Sequence, residues 1–280
     1  MVQVQPTDLE LGVIPTLPRV AIRIREMVAN PDTPVADLIK ILSLDQTMAA
    51  TVLRVSSSAP FRNRGGVTSI KQAILILGFK NLQTVVTEAC AASLQHKASS
   101  TFKDQVLWDH SLAVALAGQR IARECGYPKV EEAYLAGLLH DIGKIVLDFC
   151  RREDYARVVE RVYNEHVSFI TAEREEMGLD HATVAGLVAK EWKLSPGMIE
   201  AVRQHHEPAE ATIDPTLCAI VSLANSLCVK LGIGPERYPD LDLAQLETVA
   251  LLDVKVPKIE AIAAGIPAIL AKEKSLFGLG

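Results

Sequence analysis

AGLLHDIGK, residues 136–144, places an imidazole and a carboxylate at the end of an otherwise apolar helical run. Successive residues on a helix point about 100° apart, so His140 and Asp141 face one point only where the helix ends and the backbone turns. Gly143 is the residue expected to supply that turn. Ahead of the pair, Ala136 and Gly137 have side chains small enough for another element to approach closely. Behind it stands Lys144, a cation placed either to meet a phosphate or to offset the negative end of a helix dipole.

Helical spacing extends outward from this run in both directions. Val35, Leu38, Ile39 and Leu42 recur at helical intervals after Pro34, and Met48, Val52 and Val55 continue in a second helix. Pro, Asn and paired Gly make Ser58–Thr68 a loop. Ser69 caps a helix bearing Ile70, Ala73, Ile74 and Leu77 that stops at Gly78, and another runs from about Leu82 to Leu94. The polar stretch His96–Asp104 divides the chain into a first lobe, residues 1–100, and a second, residues 101–280.

The second lobe opens with a helix over Gln105–Glu124, ended by Gly126 and Pro128, and a short one over Glu131–Leu139. Arg151–Glu175 is read as helical with one charged face. Further helices start near Asp180, Ser195-Pro196 and Asp214-Pro215, and two more follow from Leu243. Nothing alternates at period two, so the predicted fold is all-α, a two-lobed helical bundle.

With 280 residues, 49% hydrophobic and 22% charged, the chain holds ample material for a core of Ala, Leu, Ile and Val, aromatics being only 5%. A net charge of −5 disfavours a general nucleic-acid binder, which needs a basic face to displace counterions. The basic residues Arg54, Arg62, Arg64, Lys71 and Lys80 are read as a solvated helix face and loop. Five cysteines without a C-x-x-C pair exclude a disulfide framework and a thiolate zinc site. MVQVQPTDLELGVIP lacks the pattern of a signal peptide, and Pro215–Val229 is shorter than the ~20 residues a membrane span takes. The expected location is the cytoplasm, with no membrane partner.

Polar residues stand on stripes that are otherwise apolar. His110 shares a face with Val114, Ala117 and Ile121, and His181 with Val184, Ala185, Val188 and Trp192. Asn225 lines up with Cys218, Val221 and Cys228. His206, with His205 beside it, follows Ile199 and Val202. One such histidine is ordinarily a hydrogen-bonded core residue. Several segments directing imidazole, carboxylate or carboxamide groups inward are another matter, since each left unsatisfied costs ~1–3 kcal/mol. A shared centre of one or two divalent ions (Fe, Mn, Ni or Zn) resolves the cost. Its ligands are then His110, His140, Asp141, His181, His205, His206 and Asn225. His96 and His166 lie in polar surroundings and receive no role.

GLLHDIGK with a histidine on the preceding helix resembles the HD superfamily of metal-dependent phosphohydrolases. The order His110, His140-Asp141, His181, His205-His206 resembles the HD-GYP branch, which degrades cyclic di-GMP at a two- or three-metal centre. Ile14–Phe61 resembles the opening of HDOD domains in its Leu17-Pro18 start, the helix ending at Asp45, and Leu53-Arg54 before Ser58-Ala59-Pro60-Phe61. The resemblance runs from about Val13 to Leu231 and implies an HD-like C-terminal lobe. It also implies a bacterial signal-transduction output module whose partner is a signalling protein or a nucleotide-type ligand.

Three departures stand out. Ala224-Asn225 replaces the Ala-Asp of the catalytic families, EPAEATIDP (207–215) contains no Gly-Tyr-Pro, and Ser57 stands where HDOD domains commonly have Asn. The first two favour a regulatory module with an altered metal site over the alternative, a metal-dependent phosphohydrolase acting on a nucleotide or phosphate ester. In that alternative Asp141 is the bridging ligand and Lys144 neutralises the phosphate.

Overall fold

The computed structural model describes residue 9 and residues 18–30, 32–58, 67–95 and 104–276. Several helices form where a capping side chain precedes an apolar stripe. The first half contributes α1 (Pro18–Ala29), α2 (Val35–Ser43), α3 (Gln46–Ser56) and α4 (Ile70–Gln95). Asp45 accepts from the Met48 N–H at 2.7 Å, and Ser69 from Gln72 at 3.1 Å. Gly78 breaks α4 in two, at φ 71° and ψ 163°, a backbone that glycine adopts without strain.

The second half holds α5 (Asp104–Glu124), α6 (Val130–Leu139), α7 (Ile142–Cys150), α8 (Arg152–Glu165) and α9 (Phe169–Met177). After them come α10 (His181–Glu191), α11 (Pro196–Arg203), α12 (Pro215–Lys230), α13 (Glu247–Leu251) and α14 (Val256–Leu276). Asp180, Ser195 and Asp214 cap α10, α11 and α12 by accepting from Thr183, Met198 and Leu217. Among the described residues β pairing is limited to one bridge, Val67 with Leu194, so the fold is all-α.

Two local expectations are corrected. Arg151–Glu175 is not one helix: His166 turns left-handed at φ 58°, and Ser168 caps a new helix by accepting from Thr171. Gly143 does not supply the turn after His140-Asp141, because it lies inside α7, and the bend falls at Asp141 itself (φ −97°, ψ 9°). Glycine is needed at 143 for a different reason. A Cβ there would lie 2.0 Å from the carbonyl oxygen of His181, where α7 packs against α10.

Buried apolar side chains from both halves, such as Leu38 and Leu53 with Leu112, Leu138 and Ile220, belong to one contiguous cluster. Tyr134 on α6 donates to the Ser43 carbonyl at 2.8 Å, tying the halves together. The expected lobe boundary, apart from Asp104, lies outside the described residues, as do Arg62, Arg64 and His96. Cys125, Cys218 and Cys228 are free thiols. No described helix is long and apolar enough to cross a membrane. Around the centre, α5 packs on α6 and α12, α7 on α10, and α10 on α11.

Candidate metal centre

Helix ends bring the polar residues together. His140 and Asp141 form the turn between α6 and α7, His181 is the first residue of α10, and His205-His206 follow the end of α11. His110 reaches them from within α5, and Gly137 permits it: a Cβ there would come within 3.0 Å of the α5 backbone at Val114 and Ala115. His110, His140, Asp141, His181 and His205 are each at most 2% exposed, and His206 forms the exposed edge.

Each buried imidazole is oriented through its Nδ1. His110 donates to the Ile233 carbonyl at 2.7 Å, His140 to Gly137 at 2.8 Å and His205 to Val202 at 2.8 Å. The Nδ1 of His181 meets the carboxylate of Glu173 at 2.6 Å. A proton on Nδ1 leaves the Nε2 lone pair free, and the lone pairs converge on Asp141. Its Oδ2 lies 3.6 Å from His110 and 3.5 Å from His140, and its Oδ1 lies 3.2 Å from His181 and 3.9 Å from His205. His206 Nε2 stands 3.1 Å from that of His181.

Burial works against charge on these rings. It lowers His110, brings His140 down to about 3, and with the neighbouring histidines holds His205 and His206 well below the usual range. Burial alone would raise Asp141, but His140, Lys144, His181 and His110 reverse this and hold it well below the ordinary carboxylate range. Lys144, whose Nζ donates to Asp141 Oδ2 at 2.8 Å, is raised: burial opposes its charge, and Asp141 and Glu236 outweigh burial.

Acceptors therefore face acceptors. His140 Nε2, Asp141 Oδ1 and His205 Nε2 are buried with no hydrogen-bond partner. Two sets of ligand atoms, His110-His140-Asp141 and His181-His205-His206, each lie within 4.8 Å of one another. Nitrogen lone pairs and a carboxylate oxygen turned inward without a donor form the ligand set of a borderline divalent ion, and the residues fit one.

Of the expected ligands, Asn225 is half-buried on α12 and does not enter the hydrogen bonds and ion pairs that join the other six. Lys144 is only 3% exposed and lies over the Phe169 ring at 4.8 Å. His166 is exposed at the end of α8.

Two residues without a sequence expectation complete the surroundings. Glu173 on α9 also accepts from the backbone N–H of His181 at 2.8 Å, and Tyr155 donates to its other oxygen at 2.8 Å. A carboxylate on the far nitrogen of a ligand histidine fixes the ring and raises its basicity. Gly234 packs so tightly over His110 that a Cβ would lie 2.6 Å from its Nδ1, sealing that side. On the His206 side opens a cleft lined by Arg174, Thr183, Arg203 and Gln204.

The family model of the HDOD domain matches residues 14–208, ending ahead of α12 and Asn225. An uncharacterized protein of Treponema pallidum is 23% identical over 248 residues, 86% of this chain and 48% of that protein. Ribonuclease Y of Mycoplasma capricolum is 32% identical over 118 residues, 42% of this chain and 17% of the enzyme. This chain thus spans about half the length of the first relative and less of the second. The response regulator MmoQ of Methylococcus capsulatus shares the fold, with a TM-score of 0.73 at 20% identity over 90% of this chain and 98% of that one.

Proposed function

The chain belongs to the HDOD domain family, and from there we propose that it is a signal-transduction output module with a divalent metal centre kept inside the fold. The observation that carries this is closure. Five of the six clustered residues are at most 2% exposed. Ile233 and Gly234 cover His110, and Lys144 is turned inward onto Asp141. A phosphate ester has to reach both the ion and a cation, and here the cation faces the carboxylate. Asn225 in place of aspartate and the missing Gly-Tyr-Pro support the same reading, and MmoQ, alike in fold, is a response regulator.

A second reading, a metal-dependent phosphohydrolase, is favoured by the three unpartnered acceptors and by the cleft at His206. In it Asp141 would be a ligand shared between ions, and Lys144 would offset phosphate charge. A divalent ion held there would polarise a phosphoryl group and acidify water. The partial likeness to ribonuclease Y belongs with this reading.

Metal analysis of the purified chain, followed by phosphomonoesterase and phosphodiesterase assays with added Mn or Fe, separates the two. Stoichiometric metal without turnover is the expected result, with the metal lost in Asp141→Asn. Turnover that disappears in Asp141→Asn overturns the regulatory reading in favour of the enzyme.

A further inference from the structure

We propose that the centre is asymmetric and loads a single divalent ion, held by His181, His205, His206 and Asp141 Oδ1, while the Lys144 ammonium takes the place of a second ion on the His110–His140 side. This rests on the metal reading above and specifies how that site is filled.

The two oxygens of Asp141 are in different states. Oδ2 already accepts from a buried cation, Lys144, at 2.8 Å. Oδ1 is buried with no hydrogen-bond partner, facing His181 at 3.2 Å and His205 at 3.9 Å. The positive charge that a carboxylate needs in a dry interior is present on one side and missing on the other.

The surrounding charge follows the same division. Behind His181 stands Glu173, fully buried, with one oxygen on His181 Nδ1 and the other on the Tyr155 hydroxyl. Its negative charge adds to that of Asp141 and strengthens this side for a cation. His110 and His140 are backed only by the neutral carbonyls of Ile233 and Gly137. Glu236 lies toward Lys144 and His110, but its carboxylate accepts from the Phe169 N–H at 3.2 Å and is not bonded to either. An ion entering between His110 and His140 would meet an ammonium bonded to the oxygen it requires.

Access divides the centre in the same place. His206 is exposed and borders a cleft, whereas His110 is 2% exposed beneath Gly234 and His140 is fully buried. The ligand atoms of His181, His205 and His206 lie within 4.8 Å of one another, and Asp141 Oδ1, 3.2 Å from His181 and 3.9 Å from His205, would add a fourth ligand, a set suited to Zn, and to Fe or Mn when water completes the shell.

The full chain, stripped with chelator and reloaded separately with Zn²⁺, Mn²⁺ and Fe²⁺, is desalted and its metal counted by plasma mass spectrometry. Thermal melts check that every variant is folded. One ion per chain is expected, retained in His110→Ala and lost in His206→Ala, which removes the ligand at the edge of the centre. Glu173→Gln is expected to weaken binding about 10–100-fold, the usual effect of losing a carboxylate behind a ligand histidine. Lys144→Gln should admit a second ion. Two ions in the unaltered chain, or one ion lost in His110→Ala but kept in His206→Ala, overturns the asymmetry. A folded Lys144→Gln chain that still holds one ion overturns the role given to the lysine. No ion with any of the three metals fails the metal reading itself, a result distinct from these.

Discussion

On the surface of α8, Arg161 reaches Glu165 at 3.0 Å, Glu175 at 2.8 Å and Glu176 at 3.1 Å, a dense ladder of satisfied charges. Around Asp141 polar groups are packed as densely, yet three buried acceptors have no donor. Paired charges in water contribute little and say little about function, because solvent offers each group an equivalent partner. Unpaired acceptors in a dry interior cost ~1–3 kcal/mol each, and three side by side are groups that one bound ion could satisfy together. The information lies in what is left unsatisfied, not in how many contacts are made. Substitutions that disturb each region should therefore differ sharply in effect.

The largest effect is expected from Gly143→Ala. The added Cβ would sit 2.0 Å from the His181 carbonyl oxygen, a backbone atom that cannot swing aside, so α7 must separate from α10. That movement draws Asp141 away from His181. Denaturant unfolding should show a loss of about 3 kcal/mol, the upper end of overpacking costs, together with lost metal binding. Gly265→Ala on α14 is the control, since its Cβ would meet only Ile269, at 3.6 Å. There the change should be neutral or stabilising by up to about 1 kcal/mol through helix propensity. Equal effects at both glycines would erase the distinction between centre and periphery.

The helices and most of the centre could be read from residue spacing, for physical reasons. His110 and His181 stand out because they interrupt apolar stripes, and caps such as Asp180, Ser195 and Asp214 announce their helices directly. Glu173 lies inside the charged run Ala172–Glu176, where composition alone cannot say which carboxylate turns inward. A signal was nevertheless present: Phe169, Ala172, Glu173 and Met177 form the buried face of α9, so Glu173 occupies a stripe position as His181 does. At Gly143 a glycine after a polar pair suggests a local turn, whereas its constraint comes from a helix nearly forty residues away. Asn225 satisfies the stripe rule equally well and is half-buried on α12. Spacing fixes the face of a helix but not what stands across from it.

A middle-sized effect is expected at Tyr155. Its hydroxyl donates to Glu173 Oε1 at 2.8 Å, and both side chains are fully buried. Tyr155→Phe keeps the ring's packing and removes only the donor, leaving a carboxylate oxygen unpaired in the interior. The expected loss is about 1–2 kcal/mol in denaturant unfolding, the cost of an orphaned buried acceptor. Metal affinity should fall too, because Glu173 is then less firmly held behind His181. A Tyr155→Phe chain with unaltered stability and affinity would mean that Glu173 is positioned by His181 alone.

The smallest effect is expected at Arg161, although it makes more ion pairs than Lys144 does. Its guanidinium is solvated, so Arg161→Ala exchanges three screened contacts for water. The thermal midpoint should stay within experimental error, and any difference at low salt should vanish at high ionic strength. This substitution also probes the centre from a distance. Glu175 and Glu176 lie on α9 together with Glu173, so a ladder that truly pinned α9 to α8 would hold Glu173 in place. Loss of metal binding in Arg161→Ala at unchanged helix content would then join the two regions, and their contrast would become one of depth along a single connected path.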